Sequence, residues 1–109
     1  MAREYLGEFE ITVLAALLQL ENDAYGKRIR QEIERRTGRS VAIGAIYTTL
    51  RRLEEKGYVA SRMGAPTPER GGRRKRSFRV LTSGVRTLER SVRSLARMVD
   101  GVVVEGGFA

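Results

Sequence analysis

Four positive side chains, Arg73, Arg74, Lys75 and Arg76, follow one another without a break inside "PTPERGGRRKRSFRV", residues 66–80, a stretch that also holds two prolines and a glycine pair. Upstream, "GAIYTTLRR" groups Gly44, Tyr47, Thr48, Arg51 and Arg52. Guanidinium and ammonium groups hold phosphate by charge and by N–H donation, whereas hydroxyls and arginines beside small residues can come close to base edges. The chemistry open to these residues is recognition of a polyanion.

Other chemistries lose their instruments. The chain has no Cys, so disulfides, thiolate nucleophiles and Cys-ligated metals are excluded. It has no His either, which removes the commonest general base, the Ser-His-Asp triad and the usual zinc ligands. No enzymatic activity, no metal and no cofactor are expected. A Walker A loop needs GxxxxGK[ST], and the basic stretch has neither that spacing nor a Ser or Thr directly after its Lys. The one ligand class left open is a small apolar effector.

The charge balance agrees. Lys and Arg number 21 against 13 Asp and Glu, a net charge of +8. Residues 1–34 carry a net −3 and residues 35–109 a net +11, so the positive field belongs to the middle and C-terminal parts. The longest apolar run, "ITVLAALLQL", is too short to span a bilayer and is flanked by Glu8, Glu10 and Glu21. A cytoplasmic, nucleoid-associated protein without a membrane partner is the expectation. At 109 residues there is room for a single core.

The elements that position these residues follow from periodicity. Phe9, Val13 and Leu17, with Ile11, Leu14 and Leu18 beside them, predict a central helix over about 7–20. "ENDAYG" breaks it, with Asp23 as candidate N-cap of a second helix over 25–37, whose stripe is Tyr25, Ile29 and Ile33 and whose terminator is Gly38. A third helix over 43–56 buries Ile43, Ile46, Leu50 and Leu53, closes at Gly57, and turns Gly44, Thr48, Arg51 and Arg52 outward with Tyr47 on the flank. "YVASRM" and "RKRSFRVL" alternate as strands, so the basic stretch between them is the tip of a hairpin. From Thr82 a last helix sets Val85, Leu88, Val92, Leu95, Val99 and Val102 on an a/d seam.

Less specific readings exist for each feature. Tyr47 could lie along the core edge, and Arg51 and Arg52 could pair with Glu54 and Glu55. "RRKR" fits a nuclear-targeting run or a disordered tail by composition, but an ordered element follows on each side. A core built from Phe9, Val13, Leu17, Ile29, Ile33, Ile46, Leu50, Leu53 and Phe78 suffices for a compact domain of this size, so the seam favours a second subunit over its own domain.

The order of three helices, strand, basic loop, strand and helix, together with "LGEFEITVLAALL", "AYG", "GAIYTTLRRLEEKGYV", "GGRRKR" and the "LT..G" entry to the last helix, resembles the PadR family of bacterial transcriptional regulators from residue 6 to about 100. Ser77 and Ser83 depart from the residues common there. The resemblance implies a mainly α fold with a small β-hairpin, a winged helix-turn-helix followed by a dimerisation helix. It implies a homodimer on a roughly palindromic operator in double-stranded DNA. Residues 1–81 would form the DNA-binding unit and 82–104 the dimerisation helix. DNA contacts are expected from Gly44, Tyr47, Thr48, Arg51 and Arg52 on the recognition helix and from Arg73, Arg74, Lys75 and Arg76 on the wing. The dimer interface is expected from Phe9, Val13, Val85, Leu88, Val92, Leu95 and Val99. The favoured reading is a sequence-specific repressor; the alternative is a winged-helix module that binds an acidic protein.

Overall fold

Helix α1 spans Glu8–Gln19 and is apolar on most sides because it stands in the middle of the molecule: Val13, Leu14, Ala16 and Leu17 are all buried. Its start is held by Glu10, whose Oε1 accepts the Gly7 N–H at 2.9 Å. The coordinates are those of a computed structural model, which describes residues 4–64 and 75–102. The expected hairpin tip, including Pro66, Pro68, Arg73 and Arg74, and the C-terminal residues from 103 lie outside the described residues.

Between α1 and the next helix, Glu21, Asn22 and Asp23 all take left-handed backbone conformations, with φ of 61°, 67° and 51°. Asn and Asp tolerate that region better than most residues. The turn is tied down from outside, since Asn22 Oδ1 accepts the Val80 N–H at 2.8 Å. Asp23 therefore is not the helix N-cap: its positive φ differs from the extended backbone an N-cap needs. Ala24–Tyr25 instead form a short strand, β1, and Tyr25 itself is the N-cap of α2, Gly26–Thr37. The sequence reading missed β1 because two residues carry no periodicity.

Helix α2 ends at Gly38, which adopts φ 71° and donates its N–H to Glu34 O at 2.9 Å, as the sequence leads one to expect. After a short connection, α3 covers Ile43–Glu55 and buries Ile46, Thr49, Leu50 and Leu53. Strands β2 (Val59–Met63) and β3 (Arg76–Val80) then pair antiparallel, with Val59 opposite Val80 and Met63 opposite Arg76. β3 is central, in the order β1-β3-β2, so the hairpin is a three-stranded sheet. Val59, Phe78 and Val80 face inward and close the core over α1, α2 and α3.

The last helix, α4, runs Thr82–Val99. It comes close to the end of β2's approach because Gly84 has no side chain: a Cβ there would lie 2.3 Å from Tyr58 O. That carbonyl also accepts the Leu81 N–H at 2.9 Å. Leu88 packs into the core, and Ser91 Oγ accepts the Leu6 N–H at 2.9 Å, which fastens the N-terminal segment along α4. The result is a winged helix-turn-helix with an additional C-terminal helix.

Candidate nucleic-acid interface

Helix α3 buries one stripe, so its remaining arc is set by the helical period. Gly44, Ala45, Tyr47, Thr48, Arg51 and Arg52 are all exposed, and nothing lies within 4 Å of where a Cβ on Gly44 would be. The start of the outward face is thus nearly flat backbone. Arg51 and Arg52 make no ion pair with Glu54 or Glu55, nor with any other acid among the described residues. Glu54 instead accepts from Ser61 Oγ at 2.7 Å.

Tyr47 combines both readings offered for it. The residue is 43% exposed, yet its ring leans on the domain, 6.4 Å from Phe78 centroid to centroid. A Cβ on Gly26 would meet its Cζ at 2.5 Å and its hydroxyl at 2.7 Å. Gly26 at the start of α2 is therefore the space that the Tyr47 ring occupies. The consequence is an aromatic whose hydroxyl is held at the junction of α2 and α3, the two helices of the helix-turn-helix.

Only the lower part of the basic stretch falls within the described residues. Lys75 is exposed and stands with its Nζ 5.3 Å from the centre of the Tyr25 ring, a cation–π contact that links the wing to the N-cap of α2. Arg76 is exposed as well and donates to Ser61 Oγ at 2.9 Å. Sequence reasoning overlooked two further cations. Arg62 and Arg79 lie on the outer face of the sheet, where they line a shallow depression with Asp23, Ala60, Ser61 and Ser77. The alternation within each strand placed them outward, but strand pairing was needed to bring them together.

Four of the N-terminal acids are committed to other cations. Lys56, at the end of α3, binds Glu4 Oε1 at 2.8 Å and Glu10 Oε2 at 3.0 Å. The Glu4 and Glu10 carboxylates raise the Lys56 ammonium above its ordinary value of 10.5, and Lys56 with Tyr58 holds Glu4 below 4.5. On α2, Arg36 and Arg35 hold Glu32 below the usual carboxylate value. Glu8 pairs with Arg39. These carboxylates are taken up by Lys56, Arg35, Arg36 and Arg39, and the exposed Arg51, Arg52 and Lys75 have no ion-pair partner among the described residues.

The residues expected at a subunit interface divide in two. Val13 is fully buried inside this chain and has no surface left to offer, which corrects its place on that list; α1 is central, and its inner stripe is consumed by its own core. Leu88 is likewise buried in the chain's own core, while Phe9 and Val85 are half-buried against it. Beyond Ser91 the helix leaves the domain. Val92, Leu95, Met98, Val99 and Val102 stand exposed, Leu95 at 59% and Met98 at 74%. Met98 extends the seam that the heptad reading drew.

Comparisons with known proteins agree with this architecture. The model of the transcriptional regulator PadR-like family matches residues 13–90. A PadR family transcriptional regulator from Eggerthella lenta superposes with a TM-score of 0.64 at 24% identity, covering 87% of this chain and 82% of its own. A PadR-like transcriptional regulator from Bacillus cereus gives 0.69 at 19% identity, with 86% of each chain covered. F93 from STIV, a winged-helix DNA-binding protein, gives 0.69 at 17% identity over 90% of this chain and 98% of its own. No curated protein matches the sequence.

Proposed function

The chain belongs to the PadR-like family of transcriptional regulators, and from that premise we propose that this DNA-binding regulator is a repressor gripping a roughly palindromic operator as a homodimer. The observation that carries the reading is the segregation of charge. Arg51, Arg52 and Lys75 are exposed and without ion-pair partners among the described residues, on the flat-backed face of α3 and at the base of the wing. In this reading α3 enters a major groove, where Thr48 and Arg51 reach base edges, while Tyr47, Arg52, Lys75, Arg76 and the wing residues Arg73 and Arg74 hold phosphates. Gly44 lets the helix approach closely. The protein works on the chromosome, in the cytoplasm.

Residues 1–81 form the DNA-binding part, and the C-terminal segment from Thr82, which contains α4, joins two copies. Support for the second copy comes from the apolar row Val92, Leu95, Met98 and Val99, exposed on a helix that has already left its own domain, with Val102 exposed just past its end. Each such side chain gains roughly 1.5–3 kcal/mol when fully buried. Two recognition helices related by a two-fold axis would read half-sites about 34 Å apart, one turn of the duplex.

The test is selection of sheared genomic duplexes by the purified protein, followed by sequencing of what is retained. A short inverted repeat in the retained fragments is the expected result. Retention without any shared sequence would leave a non-specific binder, and no retention at low salt would favour a module that docks on an acidic protein.

A further inference from the structure

Arg30 is the one side chain among the described residues with a buried nitrogen that has no hydrogen-bond partner: its Nε is shut away from solvent, and no ion pair among the described residues engages the guanidinium. Its place on α2 explains why this matters. At 100° per residue, Arg30 falls 40° from Gly26, one turn along the same flank of the helix. Helical side chains lean toward the N-terminus, so the Arg30 stem points back along the flank where Gly26 receives the Tyr47 ring. The acid that could neutralise it from the next turn, Glu34, is engaged with the turn of the helix-turn-helix, where its Oε2 accepts the Val41 N–H at 3.2 Å. The first turn of α2 adds Lys27 and Arg28 and holds no acid. Lys75 reaches the same end of the helix through Tyr25.

A half-buried cation whose inner nitrogen is shut from solvent and which has no counterion among the described residues is positioned for an anion from outside. We propose that Arg30 is a phosphate-binding residue: its outer nitrogens hold one DNA backbone phosphate against the start of α2, beside the Tyr47 hydroxyl, as α3 enters the groove. The assignment rests on the DNA-binding reading above and adds to it a site on the first helix of the motif. Burial restricts the side chain before DNA arrives, so little conformational freedom is lost on contact. The opposite charge of the phosphate offsets the desolvation of the guanidinium.

The experiment compares the full chain with Arg30→Met and Arg30→Lys, measuring binding to a selected operator and to a random duplex across a salt series, and thermal midpoints without DNA. Arg30→Met keeps the apolar stem and removes the charge. It should weaken operator and random duplex by the same factor and reduce the slope of log affinity against log salt by about 0.9 per protomer, one phosphate contact. Its midpoint without DNA should stay level or rise, because a buried unpaired nitrogen is gone. Arg30→Lys should keep the slope. An unchanged slope in Arg30→Met, with the wild type salt-dependent as expected, would overturn the phosphate site alone. A fall in the midpoint of Arg30→Met would mean that Arg30 serves the fold instead. If the wild type retained no duplex at low salt, this assignment and the DNA reading would fall together.

Discussion

Tyr47 shows how a single residue can be legible in type and not in position. Its spacing on the third helix marks it as a flank residue, but nothing in a one-dimensional pattern says that the flank faces the first turn of another helix. The structure supplies the partner: Gly26, whose missing Cβ is the room for the ring. Gly26→Ala should therefore overpack the junction and lower stability by about 1–3 kcal/mol. In a Tyr47→Ala background the same change should cost far less, because the colliding ring is absent. Denaturant titration of the wild type and the three variants checks this, and additive losses would contradict the contact. Arg30 was invisible for a related reason, since a solvent-facing arginine and one with a shut-in nitrogen look alike in sequence.

At the scale of elements, the four helices and the two longer strands were readable because each has enough residues to display its period. The short β1 and the three left-handed residues before it were not, and the N-cap moved from Asp23 to Tyr25 as a result. The seam of α4 was correctly drawn as apolar, yet its two halves have different destinations. Leu88 belongs to the chain's own core, while Leu95 and Met98 project beyond it. An interface test on α4 should accordingly use the distal half. Leu95→Asp with Met98→Asp should yield a monomer by sedimentation velocity that keeps the wild-type helix content by circular dichroism, because neither side chain supports the folded chain. A double variant that sediments as a dimer would show that the distal half of α4 does not join the copies.

For the molecule as a whole, the uneven charge of the sequence becomes a division of labour in three dimensions. Glu4, Glu8, Glu10 and Glu32 of the N-terminal third are spent on Lys56, Arg35, Arg36 and Arg39, and the exposed Arg51, Arg52 and Lys75 have no ion-pair partner among the described residues. Glu4 and Glu32 have folded values below 4.5, so their contribution is present above 4.5 and is lost as pH falls through the lowered values. Lys56 has a folded value above 10.5, so its contribution is present below 10.5 and is lost as pH rises through the raised value. Thermal melts should be level between those limits and fall outside them, with Glu32→Gln losing part of the acid limb. The central claim is that the outward face of α3 reads sequence. The most direct measurement is the ratio of affinities for a selected operator and a random duplex, taken for the wild type and for Arg51→Ala at one salt concentration. A wild-type ratio on the order of 10³ or more is predicted, reduced by about 1–3 kcal/mol of discrimination per affected contact in the variant; equal affinities for the two duplexes, or a ratio untouched by Arg51→Ala, would contradict it.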